Sequence, residues 1–195
     1  MLKVIILSAS KYSLYTTIVT EELSRNNITP VAIIVKDIFS IKRFISEFRR
    51  NPCALIKKIS RKLLFRKLRN KNKLSLAAYF NEKKFLCNSV DDLEEIYKIP
   101  VKKCNDFHSE EIIKYIDSFS SDLIVFTGGG IIKKNLLSLP KVGILNCHMG
   151  ILPYYRGMDC HLWALINSDF DNIGLSAHLM DEGIDTGNLL KIMRI

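Results

Sequence analysis

Two short strand-like runs, Lys3 to Ser8 around Val4-Ile5-Ile6-Leu7 and Pro30-Val31-Ala32-Ile33-Ile34-Val35, leave this chain few ways to fold. A short run that is apolar at every position suits a strand buried on both faces, as in a parallel sheet covered by helices. Between them the pattern predicts a helix from about Leu14 to Arg25, after a small-residue turn at Ser8-Ala9-Ser10. Strand, helix and strand make a βαβ unit, and Leu123-Ile124-Val125-Phe126 adds a further core strand. The expected fold class is α/β, a Rossmann-like, mostly parallel twisted sheet with helices on both faces. At 195 residues, 48% of them apolar, the chain can bury one core but hardly two, so residues 1–195 are expected to form a single domain.

Charge narrows the function classes once it is located. The net charge is +9, yet residues 41–75 hold thirteen Lys or Arg against one acid, Glu47, and the remainder is −3. Basicity therefore belongs to one segment, and no nucleic-acid partner is expected from the domain as a whole. Within that segment Phe44, Ile45, Phe48, Leu55, Ile56, Ile59, Leu63, Leu64 and Leu68 recur at helix-like spacing. Pro52 is expected to divide the segment into two helices, read as an insertion. A solvated helix pair is the ordinary meaning of such a pattern; an anionic membrane surface is the other partner it suits.

No apolar run reaches the roughly 18 residues of a spanning helix, and the N-terminal run is too short for a signal peptide. The five cysteines (Cys53, Cys87, Cys104, Cys147 and Cys160) are scattered and show no ligand or redox spacing. Reduced thiols in a cytoplasmic protein, with no metal, are expected.

Later elements follow from capping and punctuation. The acidic first turn of Asp91-Asp92-Leu93-Glu94 suits a helix start, and Val101-Lys102-Lys103 resumes the strand rhythm. Ser109 reads as an N-cap, with a Glu placed for a capping box. The run at 123–126 ends in Thr127-Gly128-Gly129-Gly130, and glycines at the carboxyl edge of a parallel strand mark a ligand approach. Gly143-Ile144-Leu145 delivers Asn146-Cys147-His148 to the same edge.

Asn146 and His148 stand at i and i+2 on a strand end and so share one face, with Cys147 on the other. An amide donor beside an imidazole provides what acyl transfer to an amine needs, a hydrogen bond for a developing oxyanion and a proton relay. The turn Asp181-Glu182-Gly183-Ile184-Asp185-Thr186-Gly187 offers a carboxylate, and Asp185 is preferred to Asp181 as the partner of His148. On its own an Asn-x-His pair is weak, since a buried, satisfied His at a strand end is commoner.

Asn-x-His, Leu152-Pro153, Arg156-Gly157 and Gly183-Ile184-Asp185-Thr186-Gly187 occur together and in order. In this the chain resembles the folate-dependent formyltransferases, which include glycinamide ribonucleotide, methionyl-tRNA and nucleotide-sugar enzymes. The resemblance is specific from about Asp122 to Leu190. It implies 10-formyltetrahydrofolate as co-substrate, no metal, and Asn146, His148 and Asp185 as catalytic residues. It also implies a pterin pocket lined by Phe126, Gly130, Ile131 and Ile132, and by Met180, Asp181, Glu182, Gly183 and Ile184. Dimers are common in the family, but no feature of the sequence locates an interface.

The acceptor is read from differences. Glycinamide ribonucleotide enzymes carry a Gly-rich phosphate loop where this chain has Ser8-Ala9-Ser10-Lys11-Tyr12-Ser13. Methionyl-tRNA enzymes continue into a second domain, whereas this sequence ends at Ile195, short of the family's last strand and helix. The expected acceptor is thus a nucleotide-linked amino sugar, such as would feed bacterial lipopolysaccharide. Both other acceptors stay as alternatives, as does a non-enzymatic protein that binds nucleic acid or membrane through 41–75. Arg156 either grips an anion of the acceptor or anchors its own loop, the latter preferred. His178 either faces the site or is a core histidine. His108 reads as merely exposed, and His161 with Trp163 as packed against the sheet.

Overall fold

The computed structural model describes residues 2–36, Pro52 and 76–195. The basic 41–75 segment, including the helices expected around Pro52, lies outside the described residues apart from Pro52 itself.

Seven strands form one sheet: β1 (Val4–Ser8), β2 (Ala32–Lys36), β3 (Val101–Cys104), β4 (Leu123–Phe126), β5 (Gly143–His148), β6 (Gly174–Leu179) and β7 (Leu189–Arg194). Their order is β3-β2-β1-β4-β5-β6-β7. The first five run parallel, and β6 and β7 are antiparallel to their neighbours. The fully buried β1 has helices on both sides. Ile5 and Leu7 join Ile34, Ile124 and Ile144 in a core closed by Ile112 and Ile116 of α4 (Glu110–Asp117) and Leu136 of α5 (Lys134–Leu137). On the opposite face Ile6, Ile33 and Val35 pack with Val90 and Leu93 of α3 (Val90–Tyr97). Ile18 of α1 (Leu14–Arg25) meets Phe80 of α2 (Leu76–Glu82) and Phe85.

Two local expectations change. Ser109 precedes α4 but its side chain makes no capping bond to the helix; its hydroxyl donates instead to the Asp106 carbonyl, 3.1 Å away. A capping box does form at α3, where Ser89 and Asp92 satisfy each other's backbone N–H groups. Gly129 has another explanation besides ligand approach. It sits at φ 132°, and a Cβ there would run into the Phe107 ring, so packing inside the protein already requires glycine. Gly130, at φ 104°, has only the Lys36 ammonium within 4.0 Å and is the glycine that stays open.

Four of the cysteines lie among the described residues, Cys87, Cys104, Cys147 and Cys160, and all four are free thiols. Among the described residues no helix is long and apolar enough to cross a membrane.

Candidate active site

β5 lies where the sheet changes from parallel to antiparallel pairing. Its neighbour β6 sets Asn146 opposite His178 and His148 opposite Ser176. Alternation along β5 turns Asn146 and His148 to one face, as expected. Cys147 points to the other face, where it meets Tyr15; burial first and the nearby thiol second push the Tyr15 phenol up to about 12.

Asp185 closes the site from the loop between β6 and β7. Its Oδ2 lies 3.4 Å from Nδ1 of His148, and its Oδ1 lies 3.4 Å from Nε2 of His178. The Gly157 N–H donates to Oδ2 at 2.9 Å and fixes the carboxylate from a third side. Asp185 is held at φ 52°, a left-handed conformation that Asp tolerates better than most residues. Asp181 has a different job: its Oδ1 accepts from the Gly183 N–H at 3.0 Å and the Thr186 hydroxyl at 2.6 Å, shaping the turn that presents Asp185.

His148 is 7% exposed, with both ring nitrogens engaged. Nε2 lies 3.0 Å from the Tyr155 carbonyl, which can only accept, so this nitrogen carries hydrogen. The other nitrogen, Nδ1, faces Asp185. Space for the Nε2 bond depends on Gly150, where a Cβ would come within 2.9 Å of Nε2 and 3.0 Å of the Tyr155 carbonyl oxygen. The loop that carries these groups is tied down by Ser176, whose hydroxyl donates to the Gly150 carbonyl at 2.7 Å and accepts from the Leu152 N–H at 3.0 Å. The Tyr155 hydroxyl donates to Asp169 at 2.9 Å.

His178 is the residue that reading along the sequence left undecided. It is 1% exposed, and its Nε2 lies 3.2 Å from the Asn146 amide nitrogen. The antiparallel register across β5 and β6 brings it in, and local sequence does not encode register. The Tyr155 carbonyl was missed for the same reason that any backbone acceptor is, having no side-chain signature.

The residues expected to line a pterin pocket fall at the end of β4 and in the two stretches that follow β4 and β6, and Lys134 at the start of α5 pairs with Glu182 at 3.1 Å. Gly130, Ile131, Asp181, Glu182, Gly183 and Ile184 are exposed, and Ile131 and Ile184 offer apolar side chains to a flat ligand. Phe126 and Met180 are partly buried and pack on the main core. Ile132 is 4% exposed and belongs to that core, in the same cluster as Phe107 and Leu136, instead of forming an open wall. His108, expected to be merely exposed, fastens this region: Nε2 is 3.1 Å from the Ile131 carbonyl and Nδ1 is 3.3 Å from Asn135 Oδ1.

Two other expectations are corrected. Arg156 is exposed and makes no hydrogen bond or ion pair among the described residues, so it does not anchor its loop; Tyr155 and Gly157 do that on either side. Trp163 lies on α6 (Cys160–Ile166) and is 55% exposed. The helix buries Cys160 and Ala164 instead, four residues apart on its inner face.

Residues 59–195 match the sequence profile of the family described as Formyl transferase. Methionyl-tRNA formyltransferase of Agathobacter rectalis is 36% identical over 103 residues, 47% of this chain and 33% of that protein. The enzyme of the same description from Finegoldia magna is 36% identical over 130 residues, 66% of this chain and 38% of the relative. The aligned stretches thus span about a third of the length of these curated relatives. Among solved structures, phosphoribosylglycinamide formyltransferase from Streptococcus pneumoniae superposes with a TM-score of 0.59 at 15% identity, covering 100% of this chain and 82% of that one. A formyltetrahydrofolate deformylase from Pseudomonas syringae gives 0.58 at 13% identity, covering 100% and 52%. At these identities the likeness speaks for a shared fold.

Proposed function

The chain belongs to the formyl transferase family, and from that premise we propose that it moves a formyl group from 10-formyltetrahydrofolate to a primary amine. The observation that carries this reading is the convergence of Asn146, His148 and Asp185, with the Asp185 carboxylate 3.4 Å from the His148 ring. The co-substrate supplies the formyl group, and the exposed Ile131 and Ile184, on loops near the ion pair of Lys134 in α5 with Glu182, suit a flat pterin.

The chain's own groups then divide the work. One N–H of the Asn146 amide is available to the formyl oxygen, where charge gathers as the amine attacks. His148, with a carboxylate at Nδ1, supports positive charge on its ring and takes part in moving the proton that the amine loses. Asp185 orders His148, and in this reading a water as well, and is itself held by the Gly157 N–H. The free thiols of the described cysteines fit a reducing, cytoplasmic setting.

For the acceptor we favour a nucleotide-linked amino sugar. In the turn after β1 the Ser8 hydroxyl donates to the Ser10 carbonyl, Ser10 accepts from the Tyr12 N–H, and Ser13 caps α1. The Ser8 hydroxyl hydrogen is thereby committed inside the loop, and the turn lacks the glycines of a glycinamide ribonucleotide phosphate cradle, which argues against that acceptor. The curated relatives favour a second reading, methionyl-tRNA. Label transferred from formyl-labelled donor to a panel of dTDP- and UDP-amino sugars, methionyl-tRNA and glycinamide ribonucleotide tests the proposal. Transfer to an amino sugar is expected. Transfer only to methionyl-tRNA would replace the acceptor, and a folded chain with no transfer to any amine would remove the reading.

A further inference from the structure

We propose that His178 is a positioning residue for Asn146: as a neutral ring protonated at Nδ1, it accepts one amide hydrogen of Asn146 and so fixes which end of that amide faces the substrate. The kinetic part of this inference rests on the formyl-transfer reading; the protonation pattern does not.

The argument begins with the partner of Nδ1. It lies 3.2 Å from the Leu179 carbonyl, which can only accept, so Nδ1 carries the hydrogen. In a neutral ring Nε2 is then an acceptor, and the Asn146 amide nitrogen, 3.2 Å away, is its donor. An amide has nearly the same shape at its oxygen and nitrogen ends, so its orientation is set by what it meets. With Nε2 holding one N–H, the second N–H of Asn146 is left for an oxyanion. A ring carrying hydrogen at Nε2 would be a donor at the same point and would instead draw the oxygen end inward.

Asp185 makes the arrangement conditional, because its Oδ1 lies 3.4 Å from the same Nε2. One ring nitrogen cannot accept from the amide and donate to the carboxylate at once. The groups facing His178 are Asn146 and His148 of β5 and Asp185 of the loop after β6. His148 approaches edge-on with its ring centroid 6.5 Å away. Its Nε2 hydrogen is committed to Tyr155, so a second ring proton on His148 would point at Asp185. Two charged rings at this separation would repel, and the single carboxylate is shared between them. Charge on His148 therefore favours a neutral His178, which is the form that holds Asn146.

The test combines nitrogen NMR on the chain labelled with ¹⁵N-histidine and steady-state kinetics. At neutral pH His178 is expected to show the Nδ1–H tautomer, and Asn146→Ala should shift its Nε2 signal while leaving Nδ1 nearly in place. A ring protonated at Nε2, alone or with Nδ1, would overturn the proposal. In kinetics His178→Met should lower kcat roughly ten- to hundredfold, the scale of a misplaced catalytic group, with the donor KM unchanged. His178→Gln, which places an acceptor oxygen near the Nε2 position, should recover most of that loss. An unchanged kcat in His178→Met, or a Gln variant no better than Met, would overturn it. Should the wild-type chain transfer no formyl group, the formyl-transfer reading falls by itself and the nitrogen signals decide the positioning claim.

Discussion

Asp185 presents two oxygens to two different imidazoles, 3.4 Å from each, and takes a backbone N–H on one of them. A carboxylate so enclosed needs donors, since a buried charge without partners is costly; the Gly157 N–H is one and a proton on His148 Nδ1 would be the second. The same physics works in reverse on thiols. Burial, followed by the nearby Glu21 carboxylate, pushes the Cys87 thiol up to about 12. A raised thiol value means the reactive thiolate is absent below that range and appears only as pH climbs through it. Cys87 should accordingly stay unmodified by iodoacetamide at pH 8 in the folded chain, and mass mapping of the modified peptides checks this. Rapid labelling of Cys87 without unfolding would contradict the burial seen here.

At the scale of elements, periodicity and composition carried much of the reading. The helix from Leu14 to Arg25 and the strand Leu123-Ile124-Val125-Phe126 stand where their apolar patterns place them. Asn146 and His148 share a face because strand alternation is a local rule. What could not be read locally depends on register or on packing between distant segments. His178 enters the site through pairing with β5, Ile132 is buried in the main core, and Trp163 turns outward because Cys160 and Ala164 take the inner face.

Glu21 is a further case. It is a fully buried carboxylate on α1 that accepts from the backbone N–H groups of Leu86 and Cys87 at 2.9 and 2.6 Å and from the Tyr97 hydroxyl at 3.3 Å. Reading along the helix gives no hint of a polar latch to residues 65 and 66 positions away. Glu21→Ala leaves buried N–H donors unmet and should cost about 3 kcal/mol, measured by urea unfolding. A loss below about 0.5 kcal/mol, the level of an ordinary surface change, would show the latch to be unimportant.

For the whole molecule, the site belongs to the place where a parallel sheet turns antiparallel. The parallel strands bring Asn146 and His148 to a carboxyl edge, where ligands of open α/β sheets gather. The antiparallel β6 and the loop after it fold back over that edge, adding His178 and Asp185. Neither half supplies the constellation alone. The most direct measurement is the formyl-transfer rate of Asn146→Ala against the wild-type chain, with binding of 5-formyltetrahydrofolate followed by calorimetry in both. Loss of an oxyanion donor should lower kcat by roughly a hundred- to thousandfold while folate binding persists. A variant that keeps its rate would contradict the assignment of Asn146, and with it the account of how this site works.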